Sequence, residues 1–324
     1  MPVPTALGEP AGDPLAGNTL GPVSSAEPAV PPAGAHGGDG PAVARALGLD
    51  PQDLLDLSQT MNPLAPPVEQ LVAGHLEALR RYPDDRDATH QLAQALGVEP
   101  ERVLLTNGGS EAIALVAAEL GGGIRSEPDF GLHPRSPDGP RWRSDPHSPT
   151  GRLAAPGERA DVWDEAFYAL ATGRWTAGRP DVVVGSLTKT FSCPGLRLGY
   201  VVADPDLIGR LRDRQPHWPV STLALAVLPD LLAAADLPGW ARGIRGLRSE
   251  LVALLRGHGL ETKDTDAPWV LVHRAGLREA LAPHGVLVRD CASFGMPGVA
   301  RVAVPDARGL ERLASALRRP SAGR

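Results

Sequence analysis

Lysine is nearly missing from these 324 residues: there are two, against thirty arginines. Cysteine is almost as scarce, at Cys193 and Cys291 alone. Two cysteines make no disulfide framework, and no Cys/His group has metal-ligand spacing, so a stapled secreted scaffold and a zinc module are both excluded and a reducing cytoplasm is expected. No uninterrupted apolar run is long enough to cross a bilayer. A net charge of −6 provides no basic field to attract nucleic acid or an anionic membrane. Residues 1–33 are mostly Pro, Gly, Ala and Ser, without the basic start or continuous apolar stretch of a secretory signal. They read as a disordered leader.

The remainder has the composition of a globular protein with room for two lobes and a sizeable core. Apolar residues at helical spacing alternate with short β-branched runs, the pattern of an α/β fold. Helices are predicted at Pro67–Arg81, Ala88–Leu96, Ser110–Leu120, Pro205–Arg214, Thr222–Ala235, Trp240–Arg256, Leu277–Pro283 and Ala307–Leu317. Strands are predicted at Arg102–Thr106, Ala160–Asp164, Asp181–Ser186, Gly199–Val202, Trp269–His273, Val286–Arg289 and Ala300–Val304. A composition break near Gln215-Pro-His-Trp-Pro219 divides the strands that carry candidate chemistry from a smaller α/β lobe. The Pro/Arg/Gly-rich stretch 127–158 shows no regular pattern.

The scarcity of lysine directs attention to the two that exist. Lys263 lies in a polar run and reads as a surface residue. Lys189 lies in Ser186-Leu-Thr-Lys-Thr-Phe-Ser-Cys-Pro-Gly-Leu-Arg-Leu-Gly-Tyr200, just beyond a buried strand. Arginine stays protonated, whereas a lysine amine can lose its proton and condense with a carbonyl. Ligands bind at that end of strands in open α/β sheets. Ser186, Lys189 and Arg197 converging there can hold a phosphate and form an imine beside it. Upstream, Asn107-Gly-Gly-Ser110 joins a strand to a helix, so Gly109 and Ser110 are placed to receive an anion at a helix N-terminus, although Ser110 could equally be a simple cap. Asp164 ends another strand, as a turn residue or as a partner for a protonated pyridine nitrogen. The glycines match neither a P-loop nor a dinucleotide fingerprint, which leaves a nucleotide-binding reading weak.

Together, Ser186–Tyr200, Asp164-Glu-Ala-Phe167 and Asn107-Gly-Gly-Ser-Glu111 resemble the class I/II aminotransferases of pyridoxal-phosphate (PLP) fold type I. Ala35-His-Gly-Gly38, Asp56-Leu-Ser-Gln-Thr-Met-Asn-Pro-Leu-Ala-Pro-Pro67, Gly285-Val-Leu-Val-Arg-Asp-Cys291 and Val299-Ala-Arg-Val-Ala-Val304 are similar to the branch that holds histidinol-phosphate aminotransferase and threonine-phosphate decarboxylase of cobalamin biosynthesis. The resemblance implies a PLP-binding large domain over 67–217 with a mostly parallel central sheet, an N-terminal arm over 34–66 and a small C-terminal domain over 218–320. It implies pyridoxal 5'-phosphate as cofactor, with Lys189 forming the internal aldimine and Asp164 on the ring nitrogen. Gly109, Ser110, Ser186 and Arg197 would hold the cofactor phosphate and Phe130 would stack on the ring. Tyr82 would reach the phosphate of a neighbouring subunit, which implies a homodimer. His36, Asn62, Arg289 and Arg301 would line the substrate pocket, with Arg301 on the α-carboxylate and Arg289 on a distal phosphate.

Two departures from the family pattern stand out. Ser148, in His147-Ser-Pro-Thr-Gly151, replaces the asparagine that bonds the cofactor's phenolic oxygen, and Phe167 replaces a tyrosine that shares this task. His147 is a candidate substitute. The chain is also compressed between Phe130 and Asp164, where the family fits further strand and helix. The expected function is a PLP-dependent aminotransferase acting on a small, phosphorylated amino acid. Phosphothreonine decarboxylation is the alternative reaction, and a non-catalytic PLP-fold protein is the alternative of a different class.

Overall fold

The computed structural model describes residues 29–34 and 36–319. Of the leader expected at 1–33, residues 1–28 lie outside the described residues. Val30 packs beside the cluster of Val43, Ala44 and Leu287, and the Pro31 carbonyl accepts a hydrogen bond from buried Arg278 at 2.6 Å.

In chain order, α1 (Gly40–Leu47) and β1 (Leu55–Leu57) precede α2 (Val68–Ala73), α3 (Arg86–Leu96), β2 (Val103–Asn107) and α4 (Gly108–Leu120). A long irregular stretch leads to β3 (Trp142–Ser144), then β4 (Val162–Asp164), α5 (Tyr168–Thr172), β5 (Val182–Ser186), the single turn α6 (Leu187–Thr190) and β6 (Leu198–Val202). The chain continues through α7 (Pro205–Arg214), α8 (Thr222–Ala233), α9 (Leu237–Gly257), β7 (Thr262–Lys263) and β8 (Trp269–His273). It closes with α10 (Leu277–Leu281), β9 (Val286–Asp290), β10 (Val299–Ala303) and α11 (Ala307–Leu317). The helix predicted over 67–81 is broken: α2 stops at Gly74, and Leu76–Arg80 forms a separate 3-10 segment.

The first sheet has the order β2-β6-β5-β4-β3. Strand β6 is antiparallel to both neighbours, while β5, β4 and β3 run parallel, so all strands except β6 point one way. The reversal follows from the connection. A parallel return needs a crossover of about a dozen residues or more with a covering helix, and 187–197 supplies only a helical turn and a Pro-Gly bend. As a result Asn107, Asp164 and Ser186 end their strands at the same edge, and Arg197 enters β6 from it.

Alternate strand residues face two different cores, as the two-residue period of a strand requires. Val103, Leu105, Trp163, Val183 and Tyr200 pack with α3, α8 and the first half of α9, whereas Leu104, Val162, Val184 and Val201 pack with α4 and α7. Helix α8 lies beyond the composition break at 215–219, yet it packs on this first sheet. Helix α9 spans both lobes, burying Trp240 and Ile244 in the first core and Leu251 and Leu255 in another. That other core belongs to the second sheet, of order β1-β9-β10-β8-β7. Here the N-terminal strand β1 runs parallel to β9, which brings the segment after Leu57 alongside the strand that carries Arg289. Among the described residues no single helix is long and apolar enough to cross a membrane.

Candidate active site

A cavity of about 330 Å³ opens at the shared strand edge, between the two sheets. Lys189 projects into it from α6, immediately after β5. Its backbone is anchored by the N-terminal segment: the Asn62 N–H donates to the Lys189 carbonyl at 3.1 Å, and the Asn62 amide donates to the Thr190 carbonyl at 2.9 Å. The sequence placed Asn62 in the pocket wall. In the structure its amide donates to backbone and its oxygen accepts from the Leu64 N–H, so it holds the lysine turn in place. The amine itself sits in a poorly solvated position near two guanidinium groups. Burial, then Arg301 and Arg197, push its pKa down to about 8. A sizeable fraction is therefore neutral near pH 7.5, which a nucleophilic amine requires.

One end of the cavity gathers groups that can receive an anion. Gly109 and Ser110 occupy the first turn of α4, whose N-cap residue Asn107 makes no side-chain capping bond, so backbone N–H groups and the helix dipole face the opening. Ser186 and Arg197 line the same end. Close approach is obligatory here. Gly108 has φ +76°, and a Cβ on it would lie 2.3 Å from an Arg197 nitrogen. A Cβ on Gly199 would lie 2.4 Å from the Gly108 carbonyl carbon. Arg197 adopts φ +56° and donates to the Pro194 carbonyl at 3.3 Å. Its guanidinium meets no carboxylate among the described residues.

Asp164 lies across the cavity at the end of β4, 8% exposed. Its Oδ1 accepts from the Ala166 N–H at 3.0 Å, and its Oδ2 is 3.0 Å from His133 Nε2. The opposite ring nitrogen of His133 lies 3.0 Å from Asp129 Oδ1, and Asp129 Oδ2 lies 3.4 Å from His147 Nε2. Burial alone would neutralise His133, but its bonds to Asp129 and Asp164 outweigh that cost and raise its pKa to about 9. Burial likewise opposes the charge on Asp129, yet His133 and His147 hold it well below the usual carboxylate range. The sequence reading missed Asp129 and His133. They fall in the stretch 127–158, where no periodicity marks them. The available signal was local: an acid and a histidine four positions apart that bracket Phe130. Phe130 lines the cavity and meets His133 edge-on at 5.5 Å; His36 lies 6.1 Å from the same ring.

The wall from the second sheet carries Arg289 and Arg301, paired directly across β9 and β10. Both are buried, and both guanidinium groups lie over the Phe294 ring, at 5.1 and 5.6 Å. Arg301 also lies 5.0 Å from the Trp269 ring centroid. Its pKa is lowered to about 10 by burial, with Cys291 opposing and Arg289 adding to the fall. Arg289 donates to the Ser293 hydroxyl at 2.9 Å.

Ser148 and Phe167 line the cavity as well. Phe167 packs edge-on against Trp269 at 5.0 Å. His147 is no substitute for the missing donors, since its nitrogens face Thr150 Oγ1 at 2.8 Å and Asp129. Tyr82 does not join the site of its own chain. It is 77% exposed and lies tilted against Trp218, with ring centroids 4.8 Å apart.

The family model for aminotransferase class I and II matches residues 145–317. A threonine-phosphate decarboxylase of Salmonella typhimurium is 31% identical, in a match that covers 88% of this chain and 96% of that protein. A histidinol-phosphate aminotransferase of Mycobacterium tuberculosis is 41% identical, but the match covers 44% of this chain and only 42% of that protein's length. Histidinol-phosphate aminotransferase from Clostridium acetobutylicum superposes with a TM-score of 0.72 at 19% identity, covering 82% of this chain and 98% of that one. The Sinorhizobium meliloti enzyme, solved with pyridoxal-5'-phosphate, gives 0.70 at 16% identity over 85% of this chain and 92% of its own. The fold is that of the type I PLP-dependent transferases. The chain belongs to the class I and II aminotransferase family.

Proposed function

We propose that the protein is a PLP-dependent aminotransferase acting on a small, phosphorylated amino acid. One observation carries the reading. A single partly buried lysine amine stands in a cavity between a helix-terminal anion cup, a carboxylate and two buried arginines. These residues fit the cofactor: Gly109, Ser110, Ser186 and Arg197 would hold its phosphate, Asp164 its ring nitrogen, Phe130 a ring face, and Lys189 its aldehyde carbon. When bound, pyridoxal phosphate supplies an aldehyde for exchange of amines and a protonated ring that accepts electrons from the Cα bond being broken.

The residues of this chain do the rest. Lys189, with its lowered pKa, would be the amine that carries a proton to or from the substrate Cα. Arg301 would fork onto the α-carboxylate and Arg289 onto the distal phosphate, orienting the substrate. His36 closes the wall beside Phe130. Ser148 offers a hydroxyl for the phenolic oxygen, and Phe167 offers none. Phosphothreonine decarboxylation is a second reading. It is favoured by the match along nearly the whole Salmonella decarboxylase and by two adjacent arginines suited to a substrate with two anionic groups; it would place the protein in cobalamin synthesis.

Exposed Leu76, Leu79, Tyr82 and Trp218 support a homodimer in which Tyr82 enters the anion cup of the partner. Two buried free cysteines suit a reducing cytoplasm. The test is to supply PLP-loaded protein with histidinol phosphate plus 2-oxoglutarate, and separately with O-phospho-L-threonine. Glutamate formation supports transamination and CO₂ release supports decarboxylation; turnover of neither contradicts both.

A further inference from the structure

Four side chains in a row, starting at Asp164, alternate in charge type: Asp164, His133, Asp129 and His147. The three central contacts measure 3.0, 3.0 and 3.4 Å. His133 is fully enclosed, Asp129 is 4% exposed, and the His147 side chain reaches solvent at 20%. Ser144 adds a hydroxyl 3.4 Å from Asp129 Oδ1 and accepts the Ser148 N–H at 2.8 Å. The cluster is thus tied to the cavity wall at two points, Asp164 and Ser148.

We propose that Asp129 is a positioning residue for Asp164, acting through His133. This rests on the reading of Asp164 as the partner of the cofactor's ring nitrogen. A buried imidazole with one carboxylate neighbour pays a large desolvation cost to stay charged; a second carboxylate on its far nitrogen offsets that cost. With Asp129 in place, His133 is an imidazolium and donates from both nitrogens. One donation occupies Asp164 Oδ2, and the Ala166 N–H occupies Oδ1. Asp164 is then fixed in rotation, with its remaining acceptor capacity toward the cavity. Charge counting agrees. Asp129, His133 and Asp164 sum to one net negative charge, which a protonated ring nitrogen cancels. Without the charge on Asp129, His133 becomes neutral and donates from one nitrogen only, so Asp164 Oδ2 is no longer assured of its donor.

The charged groups around this cluster include Arg135, whose guanidinium donates to the His133, Phe130 and Asp129 carbonyls, and Glu127, which accepts the Asp129 N–H at 3.0 Å. His133 faces Asp129 and Asp164, with the rings of Phe130 and Trp142 completing its shell. Asp129 faces both histidines. Lys189 and Tyr200 sense Asp164 from α6 and β6.

The test reads the histidine directly. In full-length, cofactor-free protein labelled with ¹⁵N-histidine, His133 (assigned by its absence in His133→Gln) should remain doubly protonated up to about pH 9. In Asp129→Asn, of nearly identical shape, its proton affinity should fall at least about tenfold. With PLP added, the same variant should bind the cofactor about fivefold or more weakly, and Asp129→Glu should restore part of the loss. A neutral His133 in the wild type at pH 7, or an unchanged titration in Asp129→Asn, overturns the proposal and leaves the functional reading standing. Wild-type protein that binds no PLP overturns both.

Discussion

Arg289 and Arg301 stand directly opposite each other on antiparallel strands, with both guanidinium groups over the same phenylalanine ring. Two cations held side by side in a buried wall favour an anionic ligand. Replacing Arg301 by lysine keeps a charge but loses the planar fork and the stacking on Trp269. The expected outcome is a rise in KM of roughly 10- to 100-fold, corresponding to about 1.4–2.8 kcal/mol. Arg289→Gln should discriminate phosphorylated from unphosphorylated amino acids. Steady-state kinetics on matched substrates check both.

The second prediction concerns pH. His133 has its pKa raised from 6.5 to about 9, so its contribution to stability is complete below pH ~6.5 and is lost as pH rises through ~9. Its removal also leaves Asp129 and Asp164 buried without their shared cation. His133→Asn should therefore destabilise the cofactor-free protein by about 3 kcal/mol at pH 6, with the difference from wild type shrinking toward pH 9.5. Denaturant melts at several pH values measure it. A difference that grows with pH contradicts the assignment.

Gly199 tests the geometry of the anion cup. A methyl group there would lie 2.4 Å from one backbone carbon and 2.5 Å from the Gly109 nitrogen, and neither is the movable end of a side chain. Gly199→Ala should cost roughly 2–4 kcal/mol of stability and weaken PLP binding, as read by thermal melts and cofactor titration. Gly246→Ala, where a Cβ meets nothing within 4 Å, should leave cofactor binding unchanged.

The exposed patch of Leu76, Leu79, Tyr82 and Trp218 yields a fourth prediction. If the patch is covered by a second copy, Leu79→Asp should shift the protein from dimer to monomer in sedimentation velocity and lower PLP retention. Tyr82→Phe should preserve the dimer while weakening cofactor binding several-fold, on the order of one lost hydrogen bond to a charged group. A wild-type monomer that binds PLP tightly contradicts this part of the account.

Much of the scaffold was legible in the sequence because its signals are local. Helices α7 and α11 have the predicted limits, and β2, β5 and β6 fall within a residue of theirs, since periodicity and flanking Pro, Gly and Asp define them. The convergence of Asn107, Asp164, Ser186 and Arg197 followed from their positions at strand ends. What stayed hidden depends on contacts distant in sequence. Strand β1 has three residues and is identifiable only by its pairing with β9, more than two hundred positions away. Strand β3 and the Asp129–His133 pair lie in a stretch without a pattern, and only its folding against β4 brings His133 to Asp164. The backbone bonds of Asn62 stayed hidden for the same reason: a buried amide can serve a ligand or a backbone carbonyl, and spacing alone does not say which.

The most direct test of the central claim is chemical trapping. Full-length protein is incubated with pyridoxal 5'-phosphate, reduced with borohydride, digested and analysed by mass spectrometry, with Lys189→Ala treated in parallel. The account predicts a phosphopyridoxyl adduct on the peptide that contains Lys189 and none in the variant. An adduct confined to Lys263, or no adduct in the wild type, would contradict it.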